Sequence, residues 1–369
     1  MSVPGLENVI ANETAISYLD VEKEEIVLRG YDLIELANNA TYLDIAGLLL
    51  DGALPTPEER RLLEVKIKSE YGLPRNIQSI LQLLPEQANM MDVLRTGISA
   101  IASYDEELDD RSNDANTHKA IRLLAKVPQI VANGFQATNN QPLIEPRKDL
   151  SYVSNFLYMI TGNVPTLMEE EVFDQSLIAY SEHELPNSTF AARVIASTQS
   201  DLYGALTGAV ASLKGTLHGG ANEAVMYMLL EAQTEADLER LMLKKLSQKE
   251  RIMGFGHRVY MRKADPRALL MKEALAELAA EKNAQELYDR CVAGEQVMKR
   301  EKNLYPNLDY YAAPVFHLLG IPIDLFTPVF LAARTIGISA HVMEQHGNNR
   351  LFRPRVHYTG PRNLHPPIK

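Results

Sequence analysis

Asp32-Leu33-Ile34-Glu35-Leu36-Ala37-Asn38-Asn39-Ala40-Thr41-Tyr42-Leu43-Asp44-Ile45-Ala46-Gly47-Leu48-Leu49-Leu50-Asp51 sets the grammar of the chain. Leu33, Leu36, Tyr42, Ile45, Leu48 and Leu49 recur at three- to four-residue steps, the spacing that gathers apolar side chains on one helix face. Pro55 and Pro57 then punctuate the run before another helix. Upstream, Thr14 to Asp20 and Ile26 to Tyr31 carry β-branched and aromatic residues between turn formers, which predicts a short hairpin or small sheet. Downstream the helical pattern continues over 92–104, 117–132, 169–184, 189–213, 222–232, 237–249, 267–304 and 310–319. Regular βαβ alternation and a 20- to 50-residue repeat are both missing. The expected fold class is mainly α, with a small N-terminal β-hairpin.

Composition narrows the function. The 369 residues are 46% hydrophobic and 23% charged, ordinary for a globular chain. The formal net charge of −11 argues against nucleic acid as a partner. The single cysteine, Cys291, excludes an internal disulfide and a Cys-rich metal site. Met1 to Asn8 has neither the basic start nor the apolar run of a signal peptide, so the expected location is cytoplasmic. Leu318 to Gly337 is the most apolar stretch near membrane length. Pro322, Asp324, Pro328 and Arg334 interrupt it, so it reads as a buried helix and no membrane role is expected.

Basic residues cluster against the overall sign. The segment 244–272 holds nine Lys or Arg against Glu250 and Asp265, and 350–369 holds five against no acid. Such clusters suit a small polyanion or carboxylate, although solvated surface stretches have the same composition.

Three of the nine histidines stand in polar, turn-rich contexts. His183 lies at a helix junction before Pro186, with Ser188 or Thr189 as a candidate cap for the next helix. His218 precedes Gly219-Gly220 and a helical pattern, where free backbone N–H groups can face a ligand. His257 follows Gly254-Phe255-Gly256. Each alone also reads as a structural hydrogen-bonding residue. No ligand spacing for zinc accompanies them, and no Walker loop, Gly-x-Ser-x-Gly or complete dinucleotide fingerprint occurs. Asp309 sits among aromatics where an apolar helix begins; either it or Asn307 would serve as N-cap. Arg334, inside an apolar run, calls for an anion, and Arg267, Arg353 and Arg355 stand in similarly unexpected places.

Three blocks together resemble the signatures of the citrate synthase family: His218-Gly219-Gly220-Ala221-Asn222-Glu223, Gly254-Phe255-Gly256-His257-Arg258-Val259-Tyr260 running to Asp265-Pro266-Arg267, and Pro306-Asn307-Leu308-Asp309. Their order and spacing match, and the resemblance covers essentially the whole chain at the length of the short bacterial and archaeal type. The blocks around His183 and Asp309 are most similar to the family's bacterial 2-methylcitrate-forming branch, which also accepts acetyl-CoA. Asn89-Met90 replaces a His-Pro pair usual in relatives, which puts a local turn or a peripheral contact in doubt.

The resemblance implies a two-domain helical fold, with a large domain at 1–218 and 317–369 and a small domain at 219–316. It implies a homodimer acting on oxaloacetate and propionyl-CoA or acetyl-CoA, with coenzyme A entering as substrate and no resident cofactor or metal. By resemblance Asp309 is the base for the acyl α-proton, His218 the donor to the enol, and His257 the group that polarises the oxaloacetate carbonyl. His183, Arg267 and Arg334 match oxaloacetate-binding positions, and Arg353 an arginine delivered to the neighbouring subunit. Arg251, Ile252, Met253, Gly254 and Phe255 match a coenzyme A contact. The chemistry is coherent, because a thioester α-proton yields to a carboxylate only if a donor meets the enolate oxygen, and arginine forks suit a dicarboxylate. Ala312 and Ala313, directly after the Asp309 block, would either leave room for one more methyl group or serve close helix packing.

Overall fold

The computed structural model describes residues 4–6, 9–20, 22–23, 25–256 and 264–367. Strands β1 (Ser17–Asp20), β2 (Glu25–Leu28) and β3 (Tyr31–Asp32) form an antiparallel sheet in the order β1-β2-β3. Helices α1 (Leu33–Asn39), α2 (Tyr42–Asp51), α3 (Pro57–Ser69), α4 (Arg75–Gln82), α5 (Met90–Ile101), α6 (Asn113–Thr138), α7 (Tyr152–Thr161) and α8 (Leu167–Ser181) follow. Then come α9 (Asn187–Ala196), α10 (Leu202–Leu213), α11 (Ala221–Glu231), α12 (Glu235–Ser247), α13 (Pro266–Glu281), α14 (Gln285–Lys302), α15 (Leu308–Leu318) and α16 (Phe326–Gly347). The fold is mainly α with a small N-terminal sheet, as the sequence predicts.

Local chemistry starts these helices. Thr41, Thr56, Thr166 and Thr234 each form a reciprocal capping box, with Asp44, Glu59, Glu169 and Asp237 respectively. Each box satisfies two backbone donors that the first turn leaves open. Thr41 is why the opening run becomes two helices, α1 and α2, rather than one.

Two other predicted helices are also divided. The run 189–213 becomes α9 and α10, with Gln199 at φ 65 and Asp201 capping α10 through the Gly204 N–H. The run 267–304 becomes α13 and α14, with Asn283 at φ 53 between them. Neither break contains Gly or Pro, so left-handed non-glycine residues turn the chain where the sequence carries no strong punctuation.

Helix α16 is the axis of the core. The segment Ile323–Gly347 is long and apolar enough to cross a bilayer, but 89% of its apolar window is buried inside the protein. It packs on α6, α8, α9 and α10, and the Tyr42 hydroxyl on α2 donates to its Ala333 carbonyl at 2.9 Å. Near its middle, a Cβ on Gly337 would lie 2.3 Å from the Ser181 carbonyl oxygen and 2.4 Å from Glu182 Oε2. Absence of a side chain there lets the end of α8 rest directly on α16, bringing the His183 loop to the helix that carries Arg334.

Helices α11 to α15 pack chiefly on one another: α13 and α11 on α15, and α12 on α14. They meet the rest through α13 and α15 on α8, and α11 on α16. The site residues lie along these contacts.

Candidate active site

Asp309 occupies the first turn of α15. Asn307 is the N-cap: its side chain accepts the Asp309 N–H at 3.1 Å, which leaves the Asp309 carboxylate free of capping duty. The Tyr180 hydroxyl, from α8, donates to Asp309 Oδ1 at 2.7 Å. Burial pushes the Asp309 carboxyl above its ordinary value, while the Tyr180 hydrogen bond and the Arg267 charge pull it back. The result is a carboxylate more basic than one in water, still favoured as an anion by the helix N-terminus.

The glycine-phenylalanine-glycine segment is stitched to the same turn. Gly254 O accepts the Asn307 N–H at 2.9 Å, and Gly256 N–H donates to Tyr305 O at 2.9 Å. Phe255 and Pro306 form an antiparallel bridge between these bonds, and the Phe255 ring lies 4.3 Å from that of Tyr310. Gly254 has φ 87, and a Cβ there would sit 2.6 Å from Val225 Cγ2. Both the backbone and the space demand glycine. Of the neighbouring residues, Ile252 and Phe255 are buried, Met253 is half-buried and Arg251 is exposed.

His218 stands ahead of α11, half-buried. Ser188 holds its Nε2 twice, with the backbone N–H donating at 3.2 Å and the hydroxyl 3.0 Å away. An N–H can only donate, so Nε2 is the acceptor and the ring proton belongs on Nδ1. Burial, reinforced by the Arg334 charge, brings the imidazole down to about 4. Desolvation is the leading cause of this fall. The Gly219 N–H is not free for a ligand, since it donates to Leu213 O at 3.0 Å.

Arg267 and Arg334 are both buried, at 4% and 2% exposure. Arg267 forks onto its neighbour Asp265, with Nη2 to Oδ2 at 2.8 Å and Nε to Oδ1 at 3.1 Å. Arg334 donates through Nε to the Tyr180 carbonyl and lies 4.8 Å above the Phe330 ring. Burial lowers its guanidinium to about 10, with Glu182 opposing and Arg267 reinforcing the fall. Two buried cations that repel one another are relieved by an anion placed between them.

His183 is buried, directly after Glu182 in the chain. The Glu182 carboxylate accepts from Ser17 Oγ at 2.8 Å and faces His341 Nε2 at 3.0 Å. Burial raises the Glu182 carboxyl, but His341 and Arg334 outweigh it and hold the acid below its ordinary value. Ser188 and Thr189 do not cap the next helix as the sequence suggests. Pro186 occupies the cap position without a side-chain bond, and Ser188 serves His218 instead.

The structure therefore gathers His218, Arg267, Asp309 and Arg334, and buries His183 next to Glu182, whose carboxylate feels the Arg334 charge. It does not bring Arg353 to them: that residue is exposed on the C-terminal extended segment, its Nη1 bonded to Pro354 O at 3.2 Å. His257 lies outside the described residues. Among the described residues no group of three or more His, Cys, Asp or Glu is placed to hold a metal ion. Tyr180, Glu182 and Ser188 are site residues that sequence reasoning misses. Their proximity to His183 along the chain is the one signal that could have found them.

A helical body that joins a partly buried carboxylate, an imidazole kept neutral and two buried arginines suits an enzyme for carbon-acid chemistry on an anionic substrate. The family model for Citrate synthase, C-terminal domain, matches residues 5–355. The chain is 61% identical over 359 residues to Citrate/2-methylcitrate synthase of Bacillus subtilis (strain 168), covering 97% of this chain and 96% of that protein. It is 60% identical to Citrate synthase of Heyndrickxia coagulans, covering 98% and 97% respectively. Among solved structures, a ternary complex of citrate synthase from Thermoplasma acidophilum with carboxymethyl coenzyme A and oxaloacetate superposes with a TM-score of 0.92. It shares 31% identity and covers 99% of this chain and 98% of that one. The chain belongs to the citrate synthase family. It is an enzyme that condenses an acyl-CoA with oxaloacetate, with the activity of a citrate or 2-methylcitrate synthase.

Proposed function

We propose that the enzyme is a 2-methylcitrate synthase that takes propionyl-CoA and also acetyl-CoA. The observation that supports this reading is the 61% identity to a relative bearing both names. Ala312 and Ala313 are completely buried in α15, a position that suits either close helix packing or the wall of an acyl pocket. A dedicated citrate synthase is the second reading, favoured by the 60% identity to a relative named for citrate alone.

In the proposed mechanism Asp309 removes a proton from the acyl α-carbon, and His218 Nδ1–H donates to the developing enolate oxygen. The enol carbon then attacks the oxaloacetate carbonyl while His257 supplies a proton to the oxygen that becomes the alcohol. His183, Arg267 and Arg334 hold the dicarboxylate, joined by Arg353 of the neighbouring subunit. Arg251, Ile252, Met253, Gly254 and Phe255 contact the coenzyme A portion, and water finally cleaves the thioester to release the thiol. A base raised by burial and a donor kept neutral suit these roles.

The same reading makes 219–316 a small domain that closes on a large domain of 1–218 and 317–369, in a cytoplasmic homodimer. Closure serves to keep water out until the carbon–carbon bond exists. No resident cofactor enters the scheme.

The test is thiol release with oxaloacetate and each acyl-CoA in parallel. One methylene in an apolar pocket is worth about 10- to 200-fold in specificity. A kcat/KM favouring propionyl-CoA supports the methylcitrate reading, whereas a preference for acetyl-CoA beyond about tenfold leaves a citrate synthase.

A further inference from the structure

We infer that Tyr180 is a positioning residue for the condensation: its hydroxyl fixes one oxygen of Asp309 and holds the carboxylate ready as the base. The inference rests on the assignment of Asp309 as that base.

Tyr180 touches two parts of the machinery with two different groups. Its hydroxyl donates to Asp309 Oδ1 at 2.7 Å, and its carbonyl oxygen accepts from Arg334 Nε. The ring has little freedom to leave. It is buried, with Phe330 at 4.6 Å and Phe316 at 5.9 Å between centroids. A rigid phenol bonded to one carboxylate oxygen leaves the other oxygen to meet the carbon acid, so it selects the reacting lone pair as well as the charge state.

The charged and titratable groups acting on Asp309 come from several elements. Tyr180 reaches it from α8, Arg267 and Asp265 from the start of α13, and Arg334 from α16. From α11, Asn222 stands beside the Tyr180 oxygen. Arg267 and Arg334 favour the anion, Asp265 disfavours it, and among the described residues Tyr180 is the one that donates a side-chain hydrogen bond to it. Burial and the adjacent carboxylate push the phenol well above its ordinary value, so Tyr180 remains a donor throughout the working pH range.

Tyr180→Phe keeps the ring and the backbone carbonyl while deleting the donor. A hydrogen bond to a charged group is strong enough to move the acid limb of kcat upward by about one pH unit when it is lost. The KM for oxaloacetate should stay within about twofold, because the arginines remain in place. A ring-fluorinated tyrosine introduced at position 180 is a stronger donor of nearly the same size and should move the limb to lower pH. That arm keeps the test decisive if the phenylalanine variant folds poorly. An acid limb that stays put in the folded variants, or a loss confined to oxaloacetate KM, overturns the inference and leaves Tyr180 as packing alone. Activity surviving in Asp309→Ala would instead overturn the assignment of the base, so the two failures are told apart.

Discussion

Ser188 and His218, thirty residues apart in sequence, are joined at one atom: the backbone N–H and the hydroxyl of the serine both address Nε2 of the imidazole. The backbone bond alone dictates the tautomer, and with it which nitrogen can donate to a substrate.

The first prediction concerns that ring. With the folded value brought down to about 4, His218 should show a neutral Nδ1–H tautomer by nitrogen NMR and no titration between about pH 5.5 and 8. The unfolded chain protonates this imidazole near 6.5, above the folded value, so U binds the extra proton first. Its stabilising contribution is present above about 6.5 and is lost as pH falls toward 4. A titration centred near 6.5 in the folded enzyme would contradict the assignment.

Asp309→Ala should abolish condensation while oxaloacetate still binds, because in the proposed mechanism the base meets the acyl carbon and the arginines hold the dicarboxylate. Loss of a general base typically costs about 10² to 10⁴ in rate. Calorimetry with oxaloacetate and a thiol-release assay separate the two effects, and near-normal turnover would remove Asp309 from the mechanism.

Gly254→Ala should damage acyl-CoA handling more than oxaloacetate binding. The new methyl meets Val225 and Tyr310 at a backbone angle of φ 87 that alanine rarely adopts. Left-handed strain alone is worth about 1–3 kcal/mol. The expected signature is a lower Tm with KM rising for the thioester, and an unchanged Tm with an unchanged thioester KM would refute it.

Subunit sharing makes a further demand. If each site uses its own His257 and the neighbour's Arg353, then mixing Arg353→Ala chains with His257→Ala chains gives a heterodimer with one intact site. Activity should reappear on mixing. Heterodimers that form but stay inactive would mean that every site is built within one chain.

Much of this was readable in the residues. An arginine inside the apolar run of α16 points to an anion, and Arg334 is indeed buried there; four helix starts carry threonine with Asp or Glu three residues later, a signal that apolar periodicity alone passes over. Asp309 stands out as a carboxylate among aromatics, although only the geometry separates it from Asn307 as the cap. The breaks at Gln199 and Asn283 were hidden because non-glycine residues take the left-handed turn. Tyr180 was hidden for a different reason: on α8 it is one more apolar helix position, and its partner lies 129 residues away. Pairings at that range depend on how helices cross, which local periodicity does not encode.

Two backbone bonds, Asn307 N–H to Gly254 O and Gly256 N–H to Tyr305 O, have a mechanical meaning. They rivet the loop proposed to grip coenzyme A onto the turn that launches the Asp309 helix. Whatever swing or slide α15 undergoes, the loop must travel with it, as two jaws cut from one block. In the proposed mechanism, alignment between thioester and base is thus inherited from the chain rather than rebuilt at every turnover, and a mutation that loosens this seam should blur the approach angle before it weakens either contact.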